Sequence, residues 1–321
     1  MMSRRKFLTG AALALPAAAY YNYAGSDGFE ESLRYLLPDS FQEYLIADSH
    51  AHPNRPENIK ELDRLLKHLF RKDVSMQSIS AILKKKYYWA YETLKEDLAS
   101  FCSSDYYKSD YQLIMSDEYA TVVSSQNRRL AFVRSQEVTC LSPKGKEIHL
   151  CIEGMPYFKD LVLSPEHVIE KTLNENATVI LNHPYTYPTK PLIYWVASGE
   201  HEEYLKSLMQ FDDLFVESFN SMNVLHMSAS NGKAETLANN YGKIMVASTD
   251  CHKSDLNLTL EQLGNAGFYV PELDFNSLTG REIIQLKKEL AKNSPGLYRN
   301  YCPLTTFFEV MMVQRINKLL G

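Results

Sequence analysis

The chain carries Asp48-Ser-His50-Ala-His52 directly after a short apolar run, Tyr44-Leu-Ile-Ala47. Residues i and i+2 of an extended chain point to the same side, so His50 and His52 are placed to reach one cation from a strand end. Ile244-Met-Val-Ala-Ser-Thr-Asp250-Cys-His252 repeats the arrangement with a carboxylate and an imidazole. Cys251 then faces the other way and reads as packing. A third apolar run, Val179-Ile-Leu, ends in Asn182-His183-Pro184, and a fourth, Arg134-Ser-Gln-Glu137-Val-Thr, carries an acid into apolar surroundings. His149 follows twelve residues later, and hairpin pairing of the two segments would bring it to Glu137. A bridging carboxylate ringed by imidazoles is the donor set of a di-metal hydrolase, in which a bound ion lowers the pKa of water to make a nucleophile near neutral pH.

Elements of two kinds must position these groups. Strand-like runs fall at 44–47, 111–115, 130–133, 148–152, 177–181, 214–216 and 243–247. Helical stretches are predicted at 59–70, 76–101, 165–174, 200–210, 230–240, 278–292 and 304–320. In the first, Leu62, Leu65, Leu66 and Leu69 make a stripe of helical period. Strand–helix alternation at this density predicts an α/β fold with a mainly parallel sheet. Acids and histidines at several strand ends fit the C-terminal mouth of a barrel. Two aromatic-rich segments, 87–111 and 185–204, read either as packing between helices and barrel or as a wall facing a substrate.

The 321 residues are 45% hydrophobic and 23% charged, values of an ordinary globular protein. A net charge of −5 gives no electrostatic case for nucleic acid. Ser3-Arg4-Arg5-Lys6-Phe7-Leu8 is similar to the twin-arginine export signal, and the weakly apolar run that follows ends at Ala17 and Ala19, small residues suited to cleavage. Residues 1–19 are therefore expected to be a signal read by the twin-arginine machinery, and residues 20–321 a single periplasmic domain. Its loss removes Arg4, Arg5 and Lys6 and no acid, and no membrane span is expected in what remains. The five cysteines make no C-x-x-C pair; they read as buried thiols, with Cys140–Cys151 as the alternative bridge. H-E-x-x-H, G-x-S-x-G and G-x-x-x-x-G-K-[ST] are absent.

Taken in order, His50-x-His52, Glu137-Val-Thr, His149, Asn182-His183-Pro184 and Asp250-x-His252 resemble the motifs of the PHP (polymerase and histidinol phosphatase) family of metal-dependent phosphoesterases, over roughly residues 44–255. The resemblance implies a distorted (β/α)7 PHP-type barrel with helical and aromatic insertions, holding two or three divalent ions (Mn, Fe or Zn). It implies a first ion on His50, His52, Glu137 and Asp250, and a second on Glu137, His149 and His183. A third would use Glu57, Glu118 and His252, with Glu118 standing where the family usually has His. Such a site is harder and more anionic, favouring Mn²⁺, Fe²⁺ or Mg²⁺ over Zn²⁺; in the alternative, two ions bind and Glu57 caps a helix. Glu137, His183 and Asp250 are the implied catalytic residues, and Glu217, in Phe215-Val-Glu-Ser-Phe-Asn220, supports them. Arg134 and Lys144 are the candidate cations. His68, His167, His201 and His226 carry no expectation. The reaction implied is phosphoester hydrolysis of a small molecule. The alternatives are carbamate, amide or ester hydrolysis on the same centre, or a relative that holds metal without turnover.

Overall fold

In the computed structural model, β1 (Leu45–Asp48) lies parallel to β2 (Val74–Ile82) on one side and antiparallel to β12 (Ala266–Val270) on the other. The residues described are 44–82, 90–159, 163–189, 193–196, 199–252 and 255–310, with the side chains of 187–189, 193–196 and His226 left aside. The expected signal at 1–19 lies outside them. Among the described residues no helix is long and apolar enough to cross a membrane.

The remaining strands are β3 (Gln112–Ser116), β4 (Ala120–Ser125), β5 (Arg128–Leu141), β6 (Glu147–Glu153), β7 (Thr178–Asn182), β8 (Thr186–Thr189), β9 (Ile193–Val196), β10 (Leu214–Asn220), β11 (Met245–Ser248) and β13 (Leu297–Arg299). The main sheet runs β11-β10-β7-β6-β5-β2-β1-β12-β13, with β4 and then β3 added beside β5. It curls into a nearly closed barrel. Beside the β11 edge, Ala51 and Cys251, just past β1 and β11, form an isolated parallel bridge. The helices are α1 (Ile59–Arg71), α2 (Tyr91–Ser103), α3 (Pro165–Asn174), α4 (Glu200–Leu208), α5 (Ser228–Asn240), α6 (Leu256–Gln262), α7 (Gly280–Asn293) and α8 (304–310).

The architecture is thus mixed α/β, but the sheet is not mainly parallel. β1, β2, β5, β7, β10 and β11 share one direction and are joined where they touch by parallel pairing, while β4, β6 and β12 run against them, and β3 and β13 enter by antiparallel pairing with β4 and β12. Tight turns explain part of this. Gln126 and Asn127 join β4 to β5 with φ of 49° and 68°, the two-residue geometry whose twist matches a hairpin. The β5–β6 hairpin turns through Ser142-Pro-Lys-Gly145-Lys, with Gly145 at φ 71°.

The helix predicted over 76–101 is instead β2 followed by α2. Val74 to Ile82 is buried nearly throughout, so its residues face barrel interior and helix layer alternately, and no polar face marks it as a strand. Residues 83–89 lie outside the described set. The stripe predicted for α1 is real: Leu62, Leu65, Leu66 and Leu69 are all buried, each worth about 1.5–3 kcal/mol of transfer free energy. Asn58 caps it, accepting from Lys60 and Glu61 amides. Tyr91, Phe101 and Tyr111 pack in the same outer layer, as the packing reading of that segment expects.

Ala47, Met76, Ala131, Val133, Cys151, Ile180, Phe215, Val246 and Phe268 fill the barrel from successive strands. α7 closes one end, inserting Ile283, Ile284 and Ala291 into the same cluster. Its Lys287, 3% exposed, places Nζ 2.6 Å from Glu153 Oε1 and donates to Ser78 Oγ. The opposite end is left to the functional groups.

The cysteines are all free and buried. Cys140 faces the core between sheet and helices α3 to α5, while Cys151 faces the barrel interior, so no bridge joins them.

Candidate metal centre

The open mouth collects the C-terminal ends of β1, β5, β7, β10 and β11. β6 runs the other way, so its first half, with His149, arrives at the same mouth. In the β5–β6 hairpin Thr139 pairs with His149 and Glu137 with Cys151, which makes Glu137 and His149 diagonal neighbours on one face.

Two groups of donors result. His50, His52 and Asp250 bring ligand atoms within 4.8 Å of one another, and so do Glu137, His149 and His183. Glu137, 5% exposed, stands between them. Its Oε2 lies 3.1 Å from His52 Nε2, and its Oε1 lies 2.7 Å from His149 Nδ1 and 3.4 Å from His183 Nε2. His252 joins from the rim, its Nε2 3.6 Å from Asp250 Oδ1. His50 and His52 are fully buried, whereas His149, His183 and His252 are 20%, 13% and 25% exposed. A cleft lined by Glu147, His149, Asn182, His183, Pro184 and Thr186 opens on the second group.

The ring orientations suit a cation. His52 Nδ1 donates to the Ser80 carbonyl at 2.6 Å, leaving Nε2 with its lone pair directed inward. His50 Nδ1 faces Glu217 Oε1 at 3.6 Å and Asn182 Nδ2 at 3.0 Å, and its Nε2 lies 2.7 Å from His52 Nε2. Two imidazole nitrogens converge so closely only around a shared proton or ion. Asp250 Oδ1, buried, has no hydrogen-bond partner among the described residues and points into the same space. An orphaned carboxylate oxygen facing converging imidazoles fits a divalent ion.

Charge balance tells the same story. Burial opposes protonation of His50 and His149, yet the facing carboxylates prevail. Asp250, Glu217 and Glu137 push His50 well up, and Glu137 carries His149 to about 10. The imidazoles in turn hold Glu137 well below the usual carboxylate range and Asp250 near 2, against burial in both cases. Burial takes His252 down to about 4, so it is a neutral donor. An ion in either group takes the place of protons that the carboxylates otherwise attract.

The backbone is bent to present these groups. His183 has φ 27° and Asp250 φ 45°, a region that costs a side-chain-bearing residue about 1–3 kcal/mol. Each is held by a specific bond. The His183 amide donates to Glu217 Oε2 at 2.5 Å, and the Asp250 amide donates to the His50 carbonyl at 2.9 Å. Glu217 also receives Ser248 Oγ and Asn220 Nδ2, and the same Nδ2 donates to Asp250 Oδ2 at 2.9 Å. Glu217 therefore contacts both groups, and Asn220 links it to Asp250.

Two expected ligands are not brought in. Glu57 is exposed ahead of α1, its amide donating to Glu61 Oε2. Glu118 is exposed in the β3–β4 turn, on an antiparallel arm that leaves the mouth, and its carbonyl receives Arg134. Neither belongs to the donor groups found among the described residues, and His252 is the only one of that trio at the centre. The neighbouring Asp117 is occupied with the Tyr119, Ala120 and Gly280 amides, tying the turn to α7. The proposed cations are elsewhere too. Arg134 lies over the Tyr157 ring at 4.0 Å and 3.7 Å from Glu92, and Lys144 pairs with Glu200 on the hairpin turn. Cys251 packs in the outer helix layer, as the alternation predicts.

Asp48 and Asn220 were not read from the sequence as parts of the site. Asp48 is wholly buried, which lifts its carboxyl to about 6 despite the donors from Thr249, Gln77 and His50. Each of the two is the polar last residue of a buried strand. No family model matches this chain, and no curated protein matches it either.

Proposed function

We propose that the chain is a metal-dependent hydrolase of PHP type, acting as a phosphoesterase on a small phosphorylated molecule. The observation that supports this most is Glu137, whose two oxygens each face a separate group of histidines. Two divalent ions bound there would supply Lewis acidity and a nucleophile derived from water at neutral pH. His50, His52 and Asp250 would hold one ion, and His149 and His183 the other, with Glu137 shared and His252 at the rim. Asp250 and Glu217 keep the surrounding imidazoles aligned, and substrate would enter on the exposed side of His149 and His183. The parallel-paired strands β1, β2, β5, β7, β10 and β11 with their helices are read as the distorted (β/α)7 barrel of that family. Ser3 to Leu8 adds export by the twin-arginine route.

The test is metal analysis of the purified protein with parallel assays on an aryl phosphate and an aryl carbamate. At least two ions per chain, with phosphate release lost in Asp250→Asn and His183→Ala, is the expected result. Full turnover after metal stripping would overturn it, and carbamate cleavage without phosphate release would move the substrate class.

A further inference from the structure

Asp48 is not among the proposed ligands, yet it is completely buried and each of its oxygens is used twice. Oδ1 accepts from the His50 amide at 3.1 Å and the Thr249 amide at 3.2 Å. Oδ2 accepts from Thr249 Oγ1 at 2.6 Å and Gln77 Nε2 at 3.0 Å. Gln77 turns its amide nitrogen to the carboxylate even though its own Oε1 then has no partner among the described residues. An ionised carboxylate is the side chain able to accept from four donors at once, and such charge-assisted bonds offset part of the cost of burying it.

Its location gives these bonds a purpose. Neighbouring strands of the main sheet pair over three or more residues, whereas the segments that follow β1 and β11 meet at a seam of one isolated bridge. There the Ala51–Cys251 bridge is supported by Asp250 N to His50 O at 2.9 Å and His52 N to Cys251 O at 2.7 Å. The two segments that meet are the ones bearing His50, His52, Asp250 and His252.

We propose that Asp48 is a positioning residue for the first ion site, clamping through Thr249 the His50–His52 segment to the Asp250–His252 segment across the seam. This rests on the metal reading of that group. The second group is positioned by other means: His149 by the β5–β6 and β6–β7 ladders, His183 by Glu217. The clamp therefore acts on one site and not on the other.

The experiment compares the full-length wild type with Asp48→Ala and Thr249→Val. Zn²⁺ binding is read by calorimetry, and amide hydrogen exchange is read on the metal-stripped proteins. Asp48→Ala is expected to weaken one of two Zn²⁺ equivalents by about 10–100-fold, the usual effect of removing an outer partner of a ligand, and to leave the other nearly unchanged. Thr249→Val, which keeps the amide and loses the hydroxyl, should weaken the same equivalent less. His50 and Thr249 amides should exchange faster in both variants, with β6 and β7 unaltered. Equal weakening of both equivalents, or of neither, would overturn the clamp. If the wild type takes up no Zn²⁺ the metal reading fails, and unchanged exchange at His50 and Thr249 would then sink the clamp on its own terms. Should Asp48→Ala not fold, Thr249→Val decides by the same two readouts.

Discussion

Glu137 Oε1 lies 2.7 Å from His149 Nδ1 because two antiparallel strands place these residues diagonally on one face of a hairpin. The other oxygen of the same carboxylate serves His52. Glu137→Gln replaces one of those oxygens with a donor, so ion uptake should fall in both groups. The loss should exceed about 100-fold, beyond the usual effect of an outer partner. Asp250→Asn should strike mainly the first group. Competitive titration against a chromophoric chelator reads both, and selective loss of one ion in Glu137→Gln would contradict the bridging role.

Glu217 offers a milder perturbation. Its carboxylate receives the His183 amide, Ser248 Oγ and Asn220 Nδ2. Glu217→Gln turns an amide NH₂ against one of those donors and should relax the strained φ of His183. Ion affinity at the second group is expected to drop by about 10–100-fold with the fold intact by circular dichroism. Unaltered affinity would mean that His183 is held by β7 alone.

Inside the closed end, Lys287 and Glu153 form a buried ion pair at 2.6 Å. Lys287→Met leaves Glu153 uncompensated in the barrel and should cost about 3–5 kcal/mol by chemical denaturation, while the double variant with Glu153→Leu should recover most of it. A single variant as stable as the wild type would show that the pair carries no such constraint.

His68 supplies a pH test away from the mouth. Burial holds its imidazole below the usual value near 6.5, with Nε2 bonded to the Leu263 carbonyl at 3.0 Å. The unfolded chain therefore takes up this proton first as pH falls. The neutral ring contributes fully above about 6.5, and its contribution is lost as pH drops from there towards the folded-state value. Unfolding titrations from pH 7 to pH 5 should show wild type losing stability relative to His68→Gln, which keeps a donor and does not titrate. Parallel curves would contradict the shift.

Glu57→Gln and Glu118→Gln should leave the number of bound ions unchanged, because both side chains are exposed and away from the donor groups. A lost equivalent in either variant would bring back a third site.

The contrast between these acids and Glu137 shows what the sequence reveals. His50, His52, His183, Asp250 and His252 each end an apolar run, and strand periodicity alone aims them at one mouth. Glu137 was legible as an acid inside a strand. Glu57 and Glu118 have no such context; only analogy places them, and the structure leaves both exposed and outside the donor groups found among the described residues. The sequence over β2 reads as helix because a strand buried on both faces presents no consistent polar face. β12 escapes a sequence reading for a different reason: its pairing with β1 depends on contacts over 200 residues distant, which no local pattern records, and β13 in turn pairs with β12. Asp48 has its Thr249 partner across the seam, and Asn220 bonds Glu217, Asp250 and Asn231, contacts that no local pattern records.

The pairing of β1 with β12, and the plugging of the barrel by α7, also bear on how the chain is made. The first donors, His50 and His52, leave the ribosome some 200 residues before Asp250, and the strand flanking β1 comes later still. Sheet closure is thus a long-range event, slow for entropic reasons. A nascent chain halted before α7 holds every proposed ligand but lacks the element that fills the barrel beneath them. Ion capture should accordingly be a late step of synthesis, and truncation inside α7 should yield a chain with all its ligands and no site.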